Sequence, residues 1–294
     1  MTYLVGYSPF KDDTCALQLA CELARSESAA VHALTVVPRG WEATHSVQHD
    51  KDFVDWARAA GEASAAEALE WLGRHPDVTG SASWITARSV PAAMLGQVEK
   101  LGATVLAVGS GVHGPVGRVT VTSKTDRLVH SSPIPVAIAP RGYRPAPGAR
   151  ITRVTVAFRD DDAAWHLIDR VADTCRRTHA RLRLVTFTIR RRPMVQAGVS
   201  RAEEIVNEEL SRDAEAAQRE AIEHLVATGF AEPELDSVLA QGATWEDAMD
   251  SVPWASGDLL VIGSSSTHDL ATVFLGSSAA KILRASAVPT IVFP

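Results

Sequence analysis

The chain has 294 residues, enough for two ordinary domains of roughly 100 to 200 residues, and with 46% hydrophobic and 22% charged residues each could bury its own core. A net charge of −6 argues against nonspecific binding of nucleic acid or of an anionic membrane, and no stretch approaches the roughly 20 apolar residues of a membrane span. The opening MTYLVGYSPFKDD has too short an apolar run for a signal peptide, and Cys15, Cys21 and Cys175 lack CxxC spacing. They read as reduced core thiols, so a cytoplasmic protein is expected.

Leu4–Tyr7 is a short apolar run stopped by Ser8-Pro9, which predicts a strand and a turn. Thr14–Ala24 places Leu17, Ala20, Cys21 and Ala24 on one helical face. Val31–Val37 reads as a second strand, Pro38–Asp50 as a loop and Phe53–Leu72 as a long helix. Ser81–Ala87 is a third strand, and Pro91 suits the first position of the next helix. Val105–Val108, Lys124–His130 and Val136–Ala139 then give strand, helix and strand. Arg141–Gly148, rich in proline, glycine and arginine, reads as a linker.

The order then begins again. Val154–Phe158 matches Leu4–Tyr7, Ile168 matches Leu17 and Phe187 matches Val36. Arg190–Ser200 replaces the first loop, Arg201–Val226 is a long amphipathic helix, Ser237–Ala240 a strand and Trp245–Met249 a helix. The last stretch, Leu259–Pro294, overlays Val105–Pro140 without a gap: Gly109 falls on Gly263, Ser123 on Ser277, Pro135 on Pro289 and Pro140 on Pro294. The expected division is residues 1–143, a linker at 144–150, and 151–294. Each half alternates β and α, the pattern of a parallel sheet covered on both faces, with ligands at the carboxyl ends of the strands. The expected fold is therefore α/β, two Rossmann-like repeats.

The repeated stretch runs from an apolar strand to Gly263, through a polar loop to Gly276-Ser277-Ser278, into a short helix and a final apolar strand. Small residues at a helix start, facing a glycine turn, leave main-chain donors for an anion. Glycine, two residues, glycine, nine residues and Gly-Ser in this setting resemble the universal stress protein family, and two copies resemble its tandem members. The resemblance implies five-stranded sheets of order 3-2-1-4-5, of the adenine nucleotide alpha hydrolase-like kind. It implies ATP held through its phosphates by the glycine motif, with Mg2+ accompanying the nucleotide, and through its adenosine by an aspartate after the first strand. It further implies a stress-response or signalling role and pairing of the two modules through their last strands, with a homodimer allowed.

Carried over residue by residue, the motif gives Gly263, Ser266 in place of the second glycine, Gly276, Ser277 and Ser278 in the second repeat, with Phe158 and Phe187 near the adenine. In the first repeat it gives Gly109, Val112 for the second glycine, and Thr122-Ser123 for Gly-Ser, with Val36 on the second strand. The expected aspartate is Ser8 in the first repeat and Arg159 in the second, followed by Asp160–Asp162. β-Branched Val112 and bulkier Thr122 suit a phosphate loop poorly. Nucleotide binding is thus expected in the second repeat and degenerate in the first, the alternative being a dimerisation or interaction protein that binds no nucleotide on the same fold.

Other patterns carry less. Gly109–Gly114 spells GxGxxG but follows a fourth strand and opens no helix, so a flexible turn is preferred to a dinucleotide site. Ser123 and Ser277 would also serve as N-caps. His45, His49 and Asp50 lack a further ligand at useful spacing, and no metal site is expected. No GxSxG elbow and no general base are evident; catalytic residues are not expected, and any ATP hydrolysis would be slow. Arg190-Arg191-Arg192 reads as a solvated loop rather than an anion lid, and the tryptophans as core or module contacts.

Overall fold

The computed structural model describes residues 1–8, 14–38, 47–190, 197–264 and 275–294, with the side chains of all but 47–51 and 197–204. The chain divides into two compact units, the first Met1–Arg150 and the second starting at Ile151.

In the first unit the strands are β1 (Thr2–Tyr7), β2 (Ala30–Pro38), β3 (Gly80–Ala87), β4 (Val105–Gly109) and β5 (Val136–Ala139). The helices are α1 (Cys15–Glu27), α2 (Val47–Gly73), α3 (Val90–Leu101) and α4 (Ser123–Ser131). β1 pairs in parallel with β2 and β4, β2 with β3, and β4 with β5, so the order is 3-2-1-4-5. The chain steps one way from β1 to β3 and the other way from β4 to β5. The right-handed crossover rule then places α1 and α2 on one face and α3 and α4 on the other, where α3 and α4 touch. Leu4, Leu17, Leu34, Leu106 and Ile138 are among the fully buried side chains of this core.

The second unit repeats the plan with β6 (Arg153–Ala157), β7 (Arg181–Ile189), β8 (Leu235–Gly242), β9 (Asp258–Gly263) and β10 (Thr290–Phe293). Its helices are α5 (Asp162–Thr178), α6 (Ala197–Ala227), α7 (Trp245–Asp250) and α8 (Ser277–Ala285). The parallel pairings again read 3-2-1-4-5, as β8-β7-β6-β9-β10. Ile168, the counterpart of Leu17, is likewise fully buried.

Several expectations change. α2 begins at Val47, inside the stretch read as a loop, so His49 and Asp50 are helical; His45 lies outside the described residues. α6 begins at Ala197 rather than Arg201, while Arg191 and Arg192 lie outside the described residues. Pro91 is one residue inside α3, which Ser89 caps through the amide of Ala92. None of the six described indoles is fully buried, and Trp56 is 50% exposed.

The linker is tied down. The Tyr143 hydroxyl donates to the carboxylate of buried Glu22, Arg150 donates to the Arg25 carbonyl, and Arg25 reaches the Ala149 carbonyl at 3.5 Å while forking onto Asp77. Glycine and proline shape its turns, but side chains fasten it to α1.

Candidate functional site

At the carboxyl ends of β6 and β9, where the strand order reverses, the second unit holds a cavity of about 240 Å³. Phe158, Arg159, Phe187, Gly263, Gly276, Ser277 and Ser278 all line it. Ser266 lies outside the described residues.

The floor is built by β6 and β7. Phe158 packs edge-on against Trp165 of α5, with ring centroids 5.7 Å apart. Thr186 Oγ1 donates to the Phe158 carbonyl at 3.0 Å, and Gln218 Nε2 donates to that hydroxyl at 2.9 Å and to the Val238 carbonyl at 3.0 Å. These bonds lock the end of β7 beside β6 and hold Phe187 at the rim.

The far wall is the start of α8. Gly276 stands at its N-cap and has no side chain to turn back onto the helix; the first closing bond runs from the Ala280 amide to the Gly276 carbonyl at 2.9 Å. Ser277 is therefore the first helical residue, not the cap expected from the sequence. The leading amides of a helix lack intrahelical acceptors, and the helix dipole adds partial positive charge there. Beside them the Ser264 hydroxyl is buried and has no hydrogen-bond partner among the described residues.

Arg159, at the position where the resemblance implies an aspartate, is 76% exposed and donates through Nε to Asp161 at 2.7 Å. Asp161 also lines the cavity and caps α5 by accepting from the Ala164 amide at 2.9 Å. Both carboxylate oxygens are thus engaged.

The equivalent cavity of the first unit measures about 130 Å³. Ser8, Val36, Gly109 and Thr122 line it; Ser123 does not. Thr122, not Ser123, caps α4, its Oγ1 accepting from the Thr125 amide at 3.2 Å. Ser110, the counterpart of Ser264, is satisfied: it donates to the Ala139 carbonyl at 2.7 Å and accepts from the Thr120 amide at 3.1 Å. Met94 reaches over Gly6, where a Cβ would lie 2.7 Å from its methyl; their counterparts are Ala248 and Ala157.

The Gly109–Gly114 loop folds on itself rather than forming the flexible turn expected. The Gly111 amide bonds the Thr120 carbonyl at 2.9 Å, and Thr120 lies where a Cβ on Gly114 would collide with it. The glycines make room for a side chain, so GxGxxG here has a packing cause.

Of the other lining residues, Ser264 and Trp245 escape motif reading, and Asp161 enters it only within the run Asp160–Asp162. Asp161 carries an N-cap signature before α5, and Ser264 follows the strand glycine. Trp245 falls where Pro91 stands in the first repeat, and that pairing is the only signal that could have found it.

Two parallel sheets of identical order, each with a cavity over its switch point, define a tandem Rossmann-like α/β protein. The sequence model of the Universal stress protein family matches residues 1–140 and 150–294. Universal stress proteins Rv2319c of Mycobacterium tuberculosis and Mb2346c of Mycobacterium bovis are each 36% identical to this chain over 296 residues, covering 100% of both partners. Among solved structures the fold is similar to protein PA1789 of Pseudomonas aeruginosa, 18% identical with a TM-score of 0.59, over 99% of this chain and 92% of that one. It is similar also to a universal stress protein of Archaeoglobus fulgidus, 14% identical with a TM-score of 0.59, over 99% and 97%. The chain belongs to the universal stress protein family.

No helix among the described residues is long and apolar enough to cross a membrane, and no group of three or more metal-ligating side chains occurs among them.

Proposed function

We propose that this protein binds one adenine nucleotide per chain, ATP with Mg2+ in the first instance, in the cavity of the second unit, and that occupancy of that cavity is its signalling state. The observation that carries this reading is the uncapped start of α8 facing an aromatic-lined cavity. Gly276 leaves the leading amides to a ligand, Ser277, Ser278 and Ser264 add hydroxyls, and Phe158 and Phe187 supply apolar surface for the base. The first unit, capped by Thr122 and filled by Met94, is read as a companion module without nucleotide.

The reading is of a binding module rather than an enzyme. Arg159 and Asp161 are the ionisable side chains lining the cavity among the described residues, and Asp161 is held by Arg159 and the α5 amide. Buried Cys15, Cys21 and Cys175, without CxxC spacing, suit a reducing compartment, and we place the protein in the cytoplasm. Mass spectrometry of small molecules released from the purified chain, with titration calorimetry of ATP in Mg2+, tests the proposal. One site per chain is expected; no released nucleotide together with no heat of ATP binding would defeat it.

A further inference from the structure

Among the described residues, Trp245 is the one aromatic side chain of the second cavity that does not come from the carboxyl ends of β6 and β7. It opens α7, and its position is fixed before any ligand arrives. Thr244 Oγ1 accepts from the Asp247 amide at 3.1 Å, while Asp247 Oδ2 accepts from the Thr244 amide at 3.1 Å, a reciprocal capping box that pins the first turn. Lys281 of α8 is not among the cavity's lining residues, yet its Nζ lies 5.9 Å from the indole centroid. The ammonium braces the ring from outside the cavity.

Trp245 is only half-buried and lines the cavity, so its side chain keeps apolar surface that a ligand can cover. Phe187 lines the same cavity from the end of β7, and α7 packs against both β7 and β8. The first unit has Pro91 and Val36 at the matching positions. At these two matched positions, therefore, a pair of aromatic rings stands in the unit whose helix start is open and not in the other. Contacts at a helix start and to serine hydroxyls do not tell a nucleotide from a bare polyphosphate; a planar ring against the base does.

We infer that Trp245 is a specificity-determining residue: its indole stacks on the ligand's base, so that the site selects a nucleobase-bearing anion over an equally charged anion without a base. The inference rests on the nucleotide reading above. The test is titration calorimetry of the full chain and of Trp245→Ala and Trp245→Phe, each with ATP and with inorganic tripolyphosphate in Mg2+, with thermal melts as the check of folding. Trp245→Ala is expected to lower ATP affinity about tenfold, as loss of a base-stacking ring does, and to leave tripolyphosphate affinity unchanged, whereas Trp245→Phe stays within about threefold of the parent for both. If Trp245→Ala binds ATP like the parent, or loses ATP and tripolyphosphate equally, the stacking role is overturned and the nucleotide reading stands. A parent chain that binds no ATP overturns both.

Discussion

The two units share a fold and differ at both poles of the sheet. At the carboxyl pole the first unit narrows its cavity with its own side chains, Thr122 on the helix start, Met94 over Gly6 and Ser110 bonded to Ala139 and Thr120, where the second has Gly276, Ala248 and a Ser264 hydroxyl without a hydrogen-bond partner among the described residues. At the amino pole the relation is reversed. At three matched positions the first unit makes neutral contacts: His32 bonds Ser81 and Ser83 at 2.8 and 2.7 Å, burial lowers its pKa, and Thr104 reaches the Thr2 carbonyl at 3.5 Å. The second unit puts Arg183, Asp258 and Arg153 at the same three positions. One unit thus has the smaller cavity and neutral contacts at these positions, while the other has the larger cavity and a charged floor at the opposite pole.

That floor predicts the largest effect. Arg183 is fully buried, lies 4.8 Å from the Trp254 ring and donates to Thr155 Oγ1 at 3.0 Å and the Pro253 carbonyl at 3.1 Å. Asp258, its side chain 1% exposed, forks onto Arg153 at 2.8 and 2.6 Å and lies 3.5 Å from Arg183. Burial and the nearby Arg153 lower the Arg183 pKa, and the hydrogen bond to Asp258 raises that of Arg153. Removing the carboxylate would leave a buried guanidinium beside another cation. Asp258→Ala should therefore cost about 3 to 5 kcal/mol in chemical denaturation, against about 0.5 kcal/mol for Thr104→Ala at the matching position. Equal losses at the two positions would show that the charged floor carries no special energy.

The open top predicts the next effect. Gly276 has φ −57° and ψ 155°, close to the −87° and 164° of Thr122, so threonine enters position 276 without backbone strain. Gly276→Thr should copy the first unit's cap into the second, hold stability within a few tenths of a kcal/mol or raise it, and lower ATP affinity by about tenfold or more. The reciprocal double change Val112→Gly with Thr122→Gly should gain little affinity, because Met94 and the Ser110 bonds still fill the first cavity. Strong ATP binding by that double variant, read by calorimetry, would mean that Val112 and Thr122 alone closed the site.

How much of this was readable beforehand follows from the range of the interactions. The doubling, the parallel alternation and the lining residues Phe158, Phe187, Gly263 and Gly276 were legible, because each depends on local pattern and on a match between the halves. The plugging of the first cavity was not: Met94 and Gly6 meet only in the fold, and nothing near either residue announces it. Arg183 was equally opaque. In the run Arg181-Leu182-Arg183-Leu184 both arginines look solvent-facing, yet Arg183 is buried by partners from Arg153 to Asp258. The linker misled through composition: proline and glycine describe its turns, while the fastening residues Tyr143 and Arg150 find their partners on α1.

The smallest effect separates α1 from α5. Glu22 is 0% exposed beneath the linker, with Oε2 accepting from Tyr143 and Oε1 without a hydrogen-bond partner among the described residues. Its counterpart Asp173 is exposed and pairs with Arg176 at 2.8 Å. Burial raises the Glu22 pKa, and the Tyr143 hydrogen bond and Arg25 pull it only partly back. A carboxyl raised in the folded state holds a proton that the unfolded chain has already lost. Stability therefore falls as pH climbs from the ordinary glutamate range to the folded pKa, and the full cost persists above it. Glu22→Gln removes the charge but keeps an acceptor for Tyr143. It should raise Tm by about 2 to 4 °C at pH 7.5, and the gain should shrink as pH approaches the unfolded glutamate value near about 4.3. Asp173→Asn should show neither the gain nor its pH dependence. A lower Tm for Glu22→Gln at pH 7.5 would mean that attraction between the Glu22 carboxylate and Arg25 outweighs the cost of burying it, and that the linker is fastened by charge rather than by the tyrosine hydrogen bond.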